Sequence, residues 1–451
     1  MDTASNFRLG AGRVITRGDA GWDEARTPWQ LAVDQQPAAI ALPRTPDEVV
    51  AAVLDARERG LRVAPQATGH NANPLAPLDG SLLVRTERLS GLRIDPQRRI
   101  ARVGAGVLWD PVMVAAAEHG LTALAGSSPD VGVVGYSLGG GIGWLARRHG
   151  MQTNRITAVE LVTPDGERVR ADDEHDTDLF WALRGGGGNF GVVTALEFEL
   201  LSVGPLYGGA LVWDWRNAGP VLRRWSEWTA TAPDLITSSA RIMQFPPVEE
   251  VPAPLRGRRV VMIDGAYEGP GDEAASVLRP LRALRPDMDT FASIPPAALV
   301  RLHGDPEGPH AFVSDHRILS GLPPDAVEAF VELAGHGSDS PLMIAEFRHL
   351  GGALARRPER HGVLPRIEGA YSLLAGAPPQ DPEHALDIVA YVQRLGAALA
   401  PWDTGRSYLN MAEQPIDVRT AFGAAEYWQL QRIRARIDPD GVMHANHPIT
   451  D

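Results

Sequence analysis

The stretch from Arg62 to Pro74, RVAPQATGHNANP, runs from a short apolar strand into a turn of small residues that contains His70. Upstream, residues 45–48 (TPDE) form a capping box with proline at the first helical position, and Gly60 ends the predicted helix. The helix-then-strand order is typical of α/β units, which bind ligands at the carboxyl ends of their strands. The sequence therefore predicts a ligand site at this turn.

Strands and helices alternate through the first 200 residues. From about Leu201, proline-rich connectors replace the tight glycine clusters, which indicates a second domain. The predicted strands are RRIARVGAG (98–106), two strands around a Pro-Asp-Gly turn in 154–171, FGVVTALEFEL (190–200), RRVVMIDGAYEG (258–269), SPLMIAEFRHLGGAL (340–354) and RIEGAYSLLAG (366–376). The predicted helices lie in 109–120, 176–185, 324–337 and 382–402.

Composition and charge exclude several functions. The 451 residues carry 43 basic and 56 acidic side chains, a formal charge of −13, which argues against a nucleic-acid partner. Every basic residue is arginine and cysteine is absent, so a lysine Schiff base, a P-loop lysine, a disulfide and a thiolate site are excluded. Residues 1–22 lack the apolar run of a signal peptide and no long apolar segment follows, which predicts a cytoplasmic protein without a membrane partner.

Two glycine-rich stretches are candidate cofactor sites. Residues 126–143, GSSPDVGVVGYSLGGGIG, contain seven glycines, and uncovered backbone amides can bind anionic oxygens. Residues 186–191, GGGNFG, match G-x-G-x-x-G, but a helix precedes them and a strand follows, the reverse of a dinucleotide fingerprint. A tightly packed crossover without a ligand remains an alternative. Several segments that converge on one diphosphate would explain all of these glycines together.

These motifs, together with the C-terminal stretch 427–449, resemble the flavin-linked oxidases of the vanillyl-alcohol-oxidase superfamily, specifically the berberine-bridge-enzyme-like branch. The resemblance implies an α+β fold of two domains, a PCMH-type FAD-binding domain and an inserted substrate domain on an antiparallel sheet. We expect the FAD-binding domain to span 1–202, with 404–451 returning to it, and the substrate domain to span 203–403. The active site is expected at their interface.

The resemblance also implies how FAD is held. His70 corresponds to the histidine that the family bonds to the flavin 8α carbon. Ser128 replaces the cysteine of doubly linked members, so a single covalent link is expected, and Val131 stands at the position associated with dioxygen access. Tyr136 replaces a frequent histidine and is expected to donate to flavin oxygens. The predicted cofactor contacts are His70, Gln66, Ala67, Thr68, Gly69, Asn71, Gly126, Ser128, Val131, Gly132, Gly135, Tyr136, Gly139, Gly140, Gly143, Asn154, Ile156, Gly191, Val193, Asn410 and Asn446.

The catalytic residues are less directly implied. The family often places a tyrosine after the asparagine of the C-terminal segment, where this chain has Met411. We expect Tyr408 to assist proton removal instead, with Tyr371 as the alternative. Period-two alternation puts Glu346 and Arg348 on one strand face, Arg366 and Glu368 on another shared face, and Tyr371 opposite them. Val131, Glu346 and Arg348 complete the predicted catalytic set.

We therefore expect an FAD-dependent oxidase that removes a hydride from a C–OH or C–N carbon of a small molecule, with dioxygen as the electron acceptor and hydrogen peroxide as the product. A monomer or homodimer is expected, and no metal. Two alternatives remain open. One is a flavin dehydrogenase with another acceptor, and the other is a redox-neutral protein that binds or cyclises a metabolite on the same fold.

Overall fold

A computed structural model describes residues 12–450 of the chain; part of the segment in which no signal peptide was predicted, residues 1–11, lies outside the described residues. The first sheet contains β1 (Arg13–Thr16), β2 (Ala39–Leu42), β3 (Arg62–Gln66) and β4 (Ser81–Arg85) in the order β1-β2-β4-β3. The β3 and β2 strands run parallel to β4, as expected for an α/β unit. Helices α1 (Trp22–Arg26) and α2 (Pro46–Glu58) belong to this part.

The capping box predicted for α2 is present in altered form. The Thr45 side chain accepts from the Glu48 backbone N–H, but the Glu48 carboxylate reaches the backbone N–H of Arg44 at 2.7 Å. Two backbone donors at this helix end are therefore satisfied. The Glu48 N–H is satisfied as in the usual box, whereas the second donor is the N–H of Arg44 and not that of the capping residue itself.

The second sheet is antiparallel and follows in sequence. Its strands are β5 (Leu92–Asp95), β6 (Ile100–Gly104), β7 (Ile156–Val162), β8 (Arg168–Asp172) and β9 (Val192–Glu199), in the order β5-β6-β9-β7-β8. The helices of this region are α3 (Trp109–Ala117), α4 (Val133–Leu138), α5 (Ala146–His149) and α6 (Thr177–Leu183). The glycine-rich stretch 126–143 contains a short helix, because its centre is the apolar run VVGYSL, which buries Val133, Val134 and Leu138.

The third sheet has eight antiparallel strands and follows both others in sequence. Its strands are β10 (Leu206–Asp214), β11 (Ile236–Gln244), β12 (Arg259–Glu268), β13 (Met288–Asp289), β14 (Ala292–Ile294), β15 (Val313–Leu319), β16 (Ile344–His349) and β17 (Tyr371–Ala377). The order is β13-β10-β12-β11-β16-β17-β15, with β14 paired to β10. Helices α7 (Ala218–Thr229), α8 (Gly271–Arg282), α9 (Pro324–Ala334) and α10 (Pro382–Ala398) accompany this sheet.

Alternation divides the eight-stranded sheet into two faces. Phe347 and Tyr371 belong to the apolar core shared with α7, α9 and α10, whereas Glu346 and Arg348 face the other way.

Arg366 and Glu368 were predicted to share a strand face, but β17 begins only at Tyr371. That prediction is corrected, because the two residues form an ion pair in the coil ahead of the strand.

The end of the chain returns to the first sheet. After α11 (Ala424–Ile437), the backbone N–H of Val63 bonds to the Val442 carbonyl, and the His444 N–H bonds to Val63. The mixed α+β fold with an antiparallel sheet is confirmed. The domain bounds 1–202 with 404–451 and 203–403 stay a prediction, which the distribution of strands among the three sheets supports.

Candidate functional site

A cavity of about 480 Å³ lies between the glycine-rich segments, the C-terminal segment and the polar face of the eight-stranded sheet. Most of the predicted cofactor contacts meet there. The predicted residues that line it are Gln66, Ala67, Thr68, Gly69, His70, Asn71, Gly126, Ser128, Val131, Gly132, Gly135, Tyr136, Gly139, Gly191, Val193, Asn410 and Asn446. Tyr408 and Arg348 line the cavity as well.

Four predicted cofactor contacts lie outside the cavity wall. A side chain at Gly140 would meet the Tyr408 ring, and one at Gly143 would collide with the Ala125 carbonyl, so both glycines serve close packing. The Asn154 amide donates to the Pro365 carbonyl, and Ile156 is buried where β7 begins. The sequence could not separate these residues from true lining positions, because small residues in a glycine-rich region are needed for both purposes.

His70 is held on three sides by neighbouring side chains. Its Nδ1 lies 2.7 Å from the Thr68 hydroxyl, its ring stacks on Trp29 with centroids 3.8 Å apart, and its Nε2 lies 3.5 Å from Asp130 Oδ1. Burial lowers the pKa of His70, although Asp130 opposes this effect. The imidazole is therefore neutral at pH 7, with a nitrogen lone pair available.

Asp130 is fixed by donors other than His70. Its Oδ2 accepts from the Trp29 indole at 2.7 Å and from the Gly308 backbone N–H at 2.8 Å. Burial raises the pKa of this carboxyl, but the nearby His70 ring and the hydrogen bonds from Gly308 and Trp29 outweigh burial and hold the pKa below its usual range. Asp130 is thus a carboxylate that orients both aromatic partners beside the cavity.

The opposite wall carries a cluster of buried ionic groups. Asp305 Oδ2 accepts from the hydroxyls of Ser127 and Ser128, each at 2.8 Å, and its Oδ1 contacts His303. The His303 ring also lies 3.2 Å from Glu346, which in turn binds Arg348 at 2.6 Å. The Ser128 hydroxyl donates to Asp305, and its hydrogen bond to flavin stays a prediction.

The ionic groups fix one another's protonation states. Burial and Arg241 lower the pKa of His303, but Asp305, Glu346 and Asp264 outweigh them and raise it to about 9. Burial raises the pKa values of Asp305 and Glu346, but the neighbouring cations hold both well below their usual range. At pH 7 the cluster therefore consists of carboxylates, guanidinium groups and an imidazolium.

The three predicted tyrosines differ in position. Tyr371 lies on the helix side of the sheet, where its hydroxyl bonds to Thr229 at 2.6 Å, so its predicted catalytic role is corrected. The Tyr136 hydroxyl donates to the Leu124 carbonyl at 3.1 Å, and its donation to flavin stays a prediction. The Tyr408 hydroxyl oxygen accepts from the Gly141 N–H at 2.7 Å, and burial raises the pKa of Tyr408 well above its usual value.

Several lining residues escaped the sequence reasoning. They include Trp29, Arg241, His303, Asp305, His310 and Glu413. Trp29 and His310 lie in segments without a recognisable motif, and Arg241 is a single charge in an otherwise uncharged strand. That isolated charge was the available signal of a functional position, because a lone arginine is not expected inside a strand buried along its length.

Glu413 is a further titratable residue of the cavity wall, and burial raises its pKa to about 7.

Comparison with known proteins agrees with this geometry. Residues 37–172 match the family model of an FAD binding domain. The chain is 27% identical to a xylooligosaccharide oxidase of Thermothelomyces thermophilus over 470 residues, which covers 96% of this chain and 90% of the relative. A variant of Physcomitrella patens BBE-like 1 superposes with a TM-score of 0.85 at 22% identity over 98% of both chains.

A third comparison is with 6-hydroxy-D-nicotine oxidase from Arthrobacter nicotinovorans, which superposes with a TM-score of 0.82 at 25% identity over 98% of this chain and 99% of that one. Over nearly its whole length the chain is thus similar to FAD-linked oxidases, and its residues 37–172 match an FAD binding domain. It is an FAD-linked oxidoreductase whose cofactor is FAD. Among residues 12–450, no helix is long and apolar enough to cross a bilayer.

The lining residues of this FAD-linked oxidoreductase are compatible with FAD. Three buried polar atoms of the His70 turn have no hydrogen-bond partner within the described chain: Gln66 Nε2, His70 Nε2 and Asn71 Oδ1. A side chain at Gly132 would approach Ala67 to 3.3 Å, which leaves backbone as the cavity wall. Unused polar atoms beside exposed backbone suit the diphosphate and ring atoms of a dinucleotide.

Proposed function

We propose that this enzyme is an oxidase that oxidises a C–OH or C–N carbon of a small-molecule substrate and uses dioxygen as its electron acceptor. The observation that carries the proposal is that one cavity joins the His70 turn to the buried ionic cluster around Asp305. Bound FAD supplies the two-electron acceptor for the substrate's hydride. A polar wall opposite the FAD-binding turn supplies groups that orient a substrate carrying a hydroxyl or an amine.

We also propose that His70 attaches FAD covalently at the 8α carbon and that this bond is the single covalent link. The neutral imidazole supported by Thr68 and Asp130 is the nucleophilic form. Ser128, which donates to Asp305, offers no thiolate for a second bond. The protein atoms around His70 thus position one nucleophile only.

Acid denaturation of the holoenzyme tests the covalent link. We expect the yellow colour to stay with the precipitated polypeptide and a flavin peptide that contains His70. His70→Ala is expected to release its flavin into the supernatant, while Ser128→Ala keeps the flavin bound. Quantitative release of flavin from the wild type, or attachment at another residue, would contradict the assignment.

The electron acceptor is tested separately. When anaerobically reduced enzyme is mixed with air-saturated buffer, we expect fast re-oxidation with one hydrogen peroxide per flavin. A flavin dehydrogenase would re-oxidise slowly in air and rapidly with a quinone. A redox-neutral protein would keep its flavin oxidised with every substrate that it binds.

A further inference from the structure

We propose that Arg348 binds a carboxylate of the substrate, so that this enzyme acts on small apolar molecules that carry one carboxylate group. The inference deepens the proposed function and rests on it, because it concerns the substrate half of the same cavity. Two arginines line this cavity, Arg241 and Arg348.

One terminal nitrogen of Arg241 contacts the buried cluster at two points. Its Nη2 lies 2.7 Å from Asp264 Oδ2 and donates to the His303 carbonyl at 2.7 Å, while its Nη1 lies 3.1 Å from the His303 ring. The guanidinium of Arg241 therefore fixes the His303 loop to β11. It is a structural cation of the cluster.

Arg348 has the opposite arrangement. Its Nε donates to Glu346 Oε1 at 2.6 Å, but no group among residues 12–450 accepts a hydrogen bond from its two terminal nitrogens. Its side chain is about one-fifth exposed, and it lines the cavity, so the accessible part faces enclosed space. A guanidinium edge with two free nitrogens matches the two oxygens of a carboxylate.

The charge of the surrounding cluster favours a monoanion. The cluster is electrically balanced, with three cations and three anions: Arg241, His303 and Arg348 against Asp264, Asp305 and Glu346. One carboxylate adds a single negative charge beside a free guanidinium. A phosphate monoester would add about two and leave more charge uncompensated inside the protein. We therefore commit to a carboxylate.

The other side chains on the same face of the sheet determine which kind of molecule fits beside Arg348. Met243 of β11, Ile344 of β16 and Leu374 of β17 line the cavity together with Phe312. Met243 pairs with Ile344 in the strand register, two residues along from the Arg241–Glu346 pair. The wall thus changes from ionic to apolar within one step of the pleat, which suits an apolar molecule with a charged group at one end.

Ligand titration of the FAD holoenzyme tests this proposal. The probes are phenylalkanoates of increasing chain length and the matched primary amides, with the change in flavin absorption as the signal. We expect carboxylates to bind and the amides to bind at least about tenfold more weakly. Arg348→Gln should weaken carboxylate binding about 10- to 100-fold, because a charge-assisted pair is lost, and should leave amide binding unchanged.

The single variant Arg348→Gln leaves the buried Glu346 carboxylate without its cation. The double variant Glu346→Gln/Arg348→Gln removes both charges and keeps the cluster neutral. We expect this double variant to lose carboxylate binding as well. The matched control is Arg366→Gln/Glu368→Gln, an exposed pair with the same two-residue spacing, 2.9 Å apart and outside the cavity. This control should bind carboxylates as the wild type does.

The proposal is overturned if no carboxylate in the series perturbs the flavin, if the amides bind equally well, or if the double variant keeps its selectivity for carboxylates. The flavin content and the peroxide yield are measured in the same preparations. They test the proposed oxidase function independently, because carboxylate selectivity can fail while both stay intact.

Discussion

Val131 is the residue at which we expect the size of the side chain to control the access of dioxygen. It lines the cavity beside Asp130, and the Trp109 N–H holds its carbonyl at 3.1 Å, so its backbone cannot shift easily. We expect Val131→Leu to slow re-oxidation by dioxygen much more than reduction by substrate, because only the oxidative half-reaction needs space for dioxygen. Stopped-flow measurement of both half-reactions checks this. Val114→Leu, an exposed position on α3, is the control, and equal slowing of both half-reactions would remove the argument.

Tyr408 combines a cavity position with a hydroxyl that is protonated at neutral pH, since burial raises its pKa above the usual value. Its role in proton removal stays a prediction. General-base assistance contributes about 10²–10⁴-fold, and we expect Tyr408→Phe to slow flavin reduction by about the lower value, with a smaller deficit at high pH where the substrate needs less help. Tyr371→Phe is the matched control on the other sheet face. Wild-type reduction in Tyr408→Phe would refute the role.

At the level of single elements, β16 presents opposite chemistry at adjacent residues. The Phe347 ring is fully buried and lies 4.3 Å from that of Phe330 in α9, whereas Arg348 faces the cavity. We expect Phe347→Ala to lower the free energy of unfolding by about 3–5 kcal/mol, because it empties a packed core site. Urea unfolding measures this loss. Flavin content and ligand affinity of the folded fraction should stay unchanged, and a loss of affinity would show that the two faces are not independent.

The helices and strands were largely predictable from hydrophobic periodicity and from the capping residues and glycines at their ends. The α2 helix begins after Thr45 and β3 follows it, as the capping box and Gly60 indicate. The division of β16 and β17 into two faces follows from alternation, which placed Tyr371 opposite Glu346. Alternation alone could not show which face is buried against helices and which lines a cavity. Tyr371 was therefore assigned as a catalytic candidate although it lies in the core.

The ionic cluster was beyond prediction for a different reason. Arg241, Asp264 and His303 lie on separate segments that only the antiparallel register brings together. Each of them looks like an ordinary strand or loop residue when it is taken alone. Local sequence rules describe neighbours within about one element, whereas this cluster depends on pairing between strands far apart in the chain. The glycine motifs were recognisable because their function is local.

Over the whole molecule, stability should depend on pH through histidines that the fold keeps neutral. Burial lowers the pKa of His349 to about 3, with Arg147 acting in the same direction. Burial also lowers the pKa of His447 to about 4, although its bond to the Leu409 carbonyl opposes this. Their unfolded forms take up protons near pH 6.5, so the unfolded chain gains protons that the folded chain does not. The contribution of these two histidines to stability is therefore complete above pH 6.5 and falls as pH decreases toward 4.

We expect each of these two histidines to reduce the free energy of unfolding by about 2 kcal/mol between pH 6.5 and pH 5, since one pKa unit corresponds to about 1.4 kcal/mol. Urea midpoints followed by tryptophan fluorescence at pH 7, 6 and 5 measure the slope. His349→Gln and His447→Gln should each flatten it, whatever their stability at pH 7, because glutamine does not titrate. His119→Gln, at an exposed position, is the matched control for the substitution itself. If His349→Gln and His447→Gln keep the wild-type slope, acid sensitivity must come from other groups, and the neutral state assigned to these two buried rings is wrong.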